Sequence, residues 1–373
     1  MTWRVPLARP DLSGNEARYA LEAIESSWIG PVGPFVDRFE ADFARVCGTS
    51  QALGVSNGTV GLHLAMAALG VGPGDEVIVP SLTYIATANA VRYVGAEPVF
   101  VDVDPATWCI EPSAVAAAVT TRTVGIIAVH LYGHPADMDA LLAIGDRHSL
   151  FVVEDAAEAH GARYRDRPVG SLATAAVFSF YGNKIVTSGE GGAVTTSDPE
   201  LMAKLRLLRG QGMDLARQYY FPVIGYNYRL TNVACALLCA QLERLDEMLE
   251  TRRRIDAVYR EALRDVSGIN LQPRAEWAQA VPWLVSVMVD ESEYGIGRDE
   301  LMDRLAANGI ETRPFFIPIH TLPPYTSGAS GSGLPVTTRM AREGVNLPTY
   351  SGLGPADLDY VVRCIAREAR DGD

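Results

Sequence analysis

Residues 124–154, VGIIAVHLYGHPADMDALLAIGDRHSLFVVE, decide the fold. Val124–Val129 is an unbroken apolar run bounded by a Gly- and Pro-containing connection. Met138–His148 repeats its apolar residues at helical spacing, and Leu150–Glu154 is a second apolar run. Short continuous apolar runs, without polar alternation, mark strands of a parallel sheet covered on both faces. The same alternation extends toward the N-terminus. Strands are expected at Gln51–Val55, Glu76–Val79 and Pro98–Val103, with helices at Thr59–Leu69, Ala86–Val94 and Ala114–Val119. Two amphipathic helices, Asn15–Trp28 and Phe35–Val46, precede them. Strand and helix in turn over about 150 residues predict an α/β doubly wound layer.

Beyond Asp155 the rhythm changes. Ala175–Phe180 and Gly192–Thr196 read as strands and Pro199–Leu208 as a helix. Asn232–Leu263 reads as one long helix with Leu238, Leu242, Leu245 and Leu249 on a stripe. A boundary is expected near Ser267–Gly268. It divides a large domain, residues 1–266, from a smaller α+β domain, 267–373. In the latter, Val281–Val289 is a predicted strand, and Arg298–Asn308 and Pro355–Ala369 are helices. Ser327–Gly333 (SGASGSG) reads as a flexible loop.

The chain has 373 residues, 48% apolar and 21% charged, which excludes disorder, collagen and coiled-coil rods. No run approaches the ~18 apolar residues of a spanning helix, and the N-terminus lacks a secretory h-region. A net charge of −13 argues against a nucleic-acid or anionic-membrane surface. Five scattered cysteines, none in C-x-x-C spacing, read as free and mostly buried thiols in a reducing cytoplasm. His130 and His134 are split by Gly133 and followed by Pro135, which breaks any helix, so no metal site is expected. The Arg252–Arg254 run reads as a solvated helix face. Only Lys184 and Lys204 are lysines among 32 basic residues, so a lysine inside a glycine-rich turn stands out.

Three stretches carry chemistry. Ser56–Thr59, SNGT, follows a strand and opens a helix; its free amides suit either an anion or a plain cap. Asp155, in LFVVEDAAEAHG, ends a strand, where open α/β sheets bind ligands; it either holds a cationic ring nitrogen or caps a turn. Lys184, in FSFYGNKIVTSGEGG, lies between two strands among four glycines, with Ser179 on the preceding strand. A semi-buried lysine of lowered pKa forms imines readily. Pyridoxal 5'-phosphate (PLP) needs such a lysine, an acid on its ring nitrogen and a phosphate cup.

The ordered set SNGT, EDAAEAHGA, FSFYGNK with GEGG, and GYNYRLT resembles the DegT/DnrJ/EryC-type sugar aminotransferases. These are PLP enzymes of fold type I that act on nucleotide-linked keto sugars. Within the family, EDAAEAHGA, FSFYGNK and GEGG look most like the branch that aminates GDP-4-keto-6-deoxymannose with L-glutamate. The resemblance implies a fold type I PLP-transferase architecture, a large, mostly parallel sheet domain plus a smaller α+β domain. It implies catalytic roles for Lys184, joined to the cofactor and shuttling protons, and for Asp155 on the ring nitrogen. Gly58, Thr59 and Ser179 would hold the phosphate, Tyr84 would stack on the ring, and Glu158 would sit by the 3-hydroxyl. Asn227 would reach a neighbouring subunit's phosphate, making a homodimer the functional unit, and His320 would lie near the sugar. A 3-keto sugar or cyclitol aminotransferase, a PLP-dependent sugar dehydratase and a non-catalytic regulatory protein remain alternatives. The intact lysine speaks against the last two.

Overall fold

The computed structural model describes residues 3–214, 216–326 and 333–368. Helices α1 (Glu16–Glu25) and α2 (Pro34–Cys47) lead into strand β1 (Gln51–Val55). There follow α3 (Gly58–Ala68), β2 (Glu76–Pro80), α4 (Ala86–Tyr93), β3 (Glu97–Val101), α5 (Pro112–Ala118), β4 (Thr123–Val129), α6 (Met138–His148) and β5 (Phe151–Asp155). Two short strands, β6 (Arg163–Tyr164) and β7 (Arg167–Pro168), precede β8 (Ala175–Ser179), β9 (Gly192–Thr196) and α7 (Pro199–Arg209). The seven-stranded sheet has the order β1-β9-β8-β5-β4-β2-β3. Strands β3, β2, β4, β5 and β8 pair in parallel, and β9 runs against both its neighbours.

Successive strand residues feed two cores, as a pleated strand covered on both faces requires. Leu53, Val77, Ile127, Val153, Val177 and Val194 pack with α3, α4 and α7. Their neighbours Ala52, Ile78, Ile126, Val152, Ala176 and Ala193 pack with α2, α6 and the helix that follows α7 in the chain. The expected doubly wound layer is therefore present.

Asn232–Leu263 is two helices, α8 (Asn232–Glu243) and α9 (Leu245–Leu263), where the sequence predicts one. Arg244 leaves helical geometry at φ −114° and ψ 12°. Its guanidinium is drawn to both carboxylate oxygens of Asp11 and to the hydroxyl of Ser13. The leucine stripe spans this break and is used inside the subunit, with Leu238, Leu245 and Leu249 in the core. Arg252 corrects another expectation. It is buried, not solvated, and donates to the carbonyls of Trp283 and Thr349.

The C-terminal part begins with β10 (Ile269–Leu271) and β11 (Ala278–Gln279), which joins β6 and β7 in a ribbon. Then come β12 (Val285–Val289), α10 (Glu291–Tyr294), α11 (Arg298–Ala307), β13 (Arg313–Pro314), α12 (Pro335–Glu343), β14 (Gly344–Leu347) and α13 (Pro355–Glu368). The antiparallel order is β10-β12-β14-β13. The strand predicted from Val281 starts only at Val285, because Pro282 has no N–H to offer a ladder. A third core joins Val5 to α9, α11, α13 and this sheet. Most of the SGASGSG loop, residues 327–332, lies outside the described residues.

One glycine ties the two parts together. Gly133 has φ +92°, and a Cβ there would stand 1.8 Å from the carbonyl oxygen of Val281. The Val281 N–H donates to the Gly133 carbonyl at 3.2 Å. Among the described residues no helix is long and apolar enough to cross a membrane.

Candidate active site

Glu154 and Asp155 close β5 and point to opposite faces. Glu154 is fully buried and accepts from His130 Nε2 and from the backbone N–H groups of Gly170, Leu172 and Ala173. His130 Nδ1 accepts from the Ala136 N–H, so Nε2 carries the proton. His134 is likewise committed, its Nδ1 to the Pro135 carbonyl and its Nε2 to the Ala275 N–H. Glu154 therefore staples the 170–173 turn to the strand end. Glu154→Ala is expected to lower unfolding free energy by about 3 kcal/mol, since three amides and an imidazole lose their acceptor. A urea midpoint within error of the parent would sink that role.

Asp155 faces the other way, at the carboxyl ends of the parallel strands. Its Oδ2 accepts from Thr87 Oγ1 at 2.7 Å and its Oδ1 from the Ala157 N–H at 3.3 Å. Three residues on, the Glu158 Oε2 accepts from the Tyr132 N–H at 2.9 Å. Tyr132 holds φ +55° beside Gly133, a conformation a bulky residue rarely adopts, and this aims its amide at Glu158.

Lys184 stands in the turn after β8, where its N–H bonds the Tyr181 carbonyl. Its side chain is only 10% exposed, and Nζ lies 3.6 Å from Glu158 Oε1. Nζ also lies 3.6 Å from the ring centroid of Trp283. Burial pulls the Lys184 amine below its usual pKa, against the attraction of Glu158 and Asp155. Burial also pushes the carboxyls of Asp155 and Glu158 above theirs, against Thr87 and Lys184 in the first case and mainly Lys184 in the second.

The SNGT turn becomes the N-terminus of α3. Asn57 Oδ1 caps the Val60 N–H, which leaves the amides at Gly58 and Thr59 without a carbonyl one helical turn back. Backbone packing here is tight. A Cβ on Gly58 would lie 3.0 Å from Ser179 Cβ, and one on Gly192 would lie 2.6 Å from the Asn57 carbonyl carbon. Free amides at a helix N-terminus can take an anion, and the Ser179 side chain packs against Gly58 at this end of α3. Thr59 is half-buried at the same helix end.

The remaining expected residues spread outward. Tyr84 is 57% exposed, and its ring is 6.0 Å from Phe316. Phe316 stacks on Tyr132, and Tyr132 on Trp283, so an aromatic row runs from Tyr84 to Lys184. His320 Nδ1 meets Ser81 Oγ at 2.7 Å, beyond the end of β2. Burial lowers its pKa. Asn227 is exposed and only its backbone is engaged, in a bridge to Gly210. Within one subunit the fold thus joins Lys184, Asp155 and Glu158, and Gly58 with Ser179, but leaves Asn227 apart.

Thr87, Tyr132 and Trp283 belong to the site without having been expected from the sequence. Thr87 lies three residues after Tyr84 in SLTYIAT, and only the first turn of α4 reveals its aim. Trp283 has no local signal, since tertiary packing alone brings it to Lys184.

The family model of the DegT/DnrJ/EryC1/StrS aminotransferase family matches residues 10–366. The chain is 48% identical to the GDP-perosamine synthase of Caulobacter vibrioides over 363 residues, 97% of each chain. It is 40% identical to the GDP-perosamine synthase of Escherichia coli O157:H7, again over 97% of each. The solved structure of S. venezuelae DesV is 40% identical and superposes with a TM-score of 0.90, covering 95% of this chain and 94% of that one.

Proposed function

The chain belongs to the DegT/DnrJ/EryC1/StrS aminotransferase family, and on that ground we propose that it moves an amino group from L-glutamate to GDP-4-keto-6-deoxymannose, giving GDP-perosamine. One observation of its own structure carries the reading. A buried lysine amine and two buried carboxylates, Asp155 and Glu158, meet at the strand ends, and the uncapped amides that open α3 next to Ser179 suit a phosphate. This donor set fits PLP, the cofactor of the family. The Gly58 and Thr59 amides with Ser179 would take the phosphate, Asp155 the ring nitrogen, Glu158 the 3-hydroxyl and Tyr84 a ring face. Bound PLP supplies a sink for the electrons left when a proton leaves carbon.

The chain's own residues do the rest. Asp155, fixed by Thr87 and Ala157, presents a buried negative charge that keeps a facing nitrogen protonated. Lys184, with its pKa lowered by burial, takes and returns a proton at Nζ more readily than an exposed lysine. Glu158 beside Nζ draws that proton back toward the amine, against the effect of burial. His320, at the mouth behind Ser81, would meet the sugar.

The decisive experiment incubates the enzyme with L-glutamate and a panel of GDP- and dTDP-linked keto sugars and reads product masses. An amine formed from the GDP-4-keto sugar alone supports the reading. An amine formed instead from a dTDP-linked 3-keto sugar, or from a keto cyclitol added to the panel, replaces it with another member of the family.

A C2 homodimer belongs to the same proposal. Asn227 is exposed, and beside it Tyr219, Phe221 and Ile224 are 78%, 51% and 92% exposed, apolar area that a second copy would cover. Most of the leucine stripe is not available for this, since Leu238, Leu245 and Leu249 are buried in the core. Lys184→Ala and Asn227→Ala, each impaired alone, should regain partial activity on mixing, because one site of a mixed dimer keeps both residues. No gain after demonstrated subunit exchange would refute shared sites. A reducing cytoplasm suits the five free, buried cysteines.

A further inference from the structure

Trp283 is in contact with the catalytic amine, yet it comes from the C-terminal part of the chain, 99 residues beyond Lys184. Both the indole and the backbone of Trp283 are held. Its Nε1–H donates to the carbonyl of Asn183 at 2.8 Å, the residue just before Lys184. Its own carbonyl accepts from the buried Arg252 guanidinium at 2.6 Å, which also donates to the Thr349 carbonyl. Tyr132 lies nearly parallel to it, 22° between planes and 6.5 Å between centroids. The residue is 4% exposed. Nζ of Lys184 stands over the face of this fixed ring, 3.6 Å from its centroid.

We propose that Trp283 is a positioning residue for Lys184: its ring face and the Glu158 carboxylate form a two-point seat that fixes the amine, as ammonium, at one place from which its proton is delivered. The inference rests on the aminotransferase reading above but concerns a contact that can be tested without turnover. A desolvated ammonium gains from the negative face of an indole more than from any other ring. Glu158 alone is a single contact at 3.6 Å, longer than a good hydrogen bond, and leaves a four-carbon stem free to swing. The bond from Trp283 to Asn183 couples the seat to the backbone that carries the lysine. The same residues explain why Arg252 is buried, since it anchors the Trp283 backbone.

The composition makes the test direct. Lys184 and Lys204 are the only lysines, so selective isotope labelling of lysine gives two sets of side-chain signals. In the full-length protein stripped of PLP, the ε-protons of Lys184 should lie well upfield of those of Lys204, shifted by the indole ring current. Trp283→Leu should collapse that difference, and Trp283→Phe should retain part of it. With PLP restored, Trp283→Leu should lose about tenfold in kcat with KM for the nucleotide sugar unchanged, and Trp283→Phe should recover most of the loss. Two coincident lysine signals in the parent protein would overturn the proposal whether or not either variant folds. So would a Trp283→Leu enzyme of normal kcat. A clear upfield shift in a protein that aminates no keto sugar would uphold the seat and defeat the functional reading instead.

Discussion

Lys184→Ala is expected to abolish amino transfer, by roughly four powers of ten or more, while the chain still folds and still takes up PLP. The anion cradle at Gly58, Thr59 and Ser179 does not involve the lysine, so binding persists without a covalent link. Borohydride treatment followed by denaturation should leave cofactor on the parent protein and none on the variant. The substitution also has a stability signature. Nζ is the cation beside two buried acids, Glu158 at 3.6 Å and Asp155 close by. Removing one partner of a buried charge group costs about 3 kcal/mol near neutral pH. The acids, already raised above their usual 3.8 and 4.5 by burial, would rise further without the amine. For carboxyls raised in the folded state, the stability they contribute is fully present below the unfolded value and lost as pH rises through the folded value. The thermal deficit of the variant should therefore shrink as pH falls from about 8 to about 5. Normal turnover would remove Lys184 from the mechanism, and a deficit that ignores pH would remove it from the carboxylate cluster.

Much of this site could be read before the fold was seen, and the reason is local. Asp155 and Lys184 sit where a strand ends, and continuous apolar runs such as FVV and AAVF locate those ends without long-range information. Gly58 and Ser179 are legible for the same reason, since a turn that opens a helix declares its amides. Other features depend on chain segments far apart in sequence. Arg244 leaves helical geometry where its guanidinium reaches Asp11 and Ser13, and nothing within Asn232–Leu263 shows that. The Arg252–Arg254 run looks solvated until Trp283 and Thr349 present carbonyls to its first member. Tyr132 offers Glu158 its backbone N–H, at a positive φ next to the close pass of Gly133 against Val281. Unlike the amides that open α3, this main-chain N–H has no local turn motif to announce it.

Asp155→Asn is expected to leave a folded, PLP-binding protein whose kcat falls by about a thousandfold. The amide preserves the shape and one acceptor for Thr87, which now donates at 2.7 Å. What it removes is a full negative charge in a buried place. Two unit charges about 4 Å apart interact by about 4 kcal/mol at an effective dielectric of about 20. That is roughly three powers of ten in rate if the interaction is realised in the transition state. Binding draws on the phosphate cradle and the lysine as well, so PLP affinity should weaken much less than kcat. Burial works in the opposite direction on stability, because a neutral amide escapes the desolvation that raises the Asp155 carboxyl. Relief from desolvation offsets part of the attraction to Lys184 that is lost, so the cofactor-free variant should lose less thermal stability at neutral pH than Lys184→Ala does, while the loaded enzyme is nearly inactive. Asp155→Glu keeps the charge and moves it by one methylene, so it should recover more rate than Asn does. Should Asp155→Asn turn over at the parent rate, the carboxylate would be a turn cap held by Thr87 and Ala157, and the charge at the strand end would play no part in the chemistry.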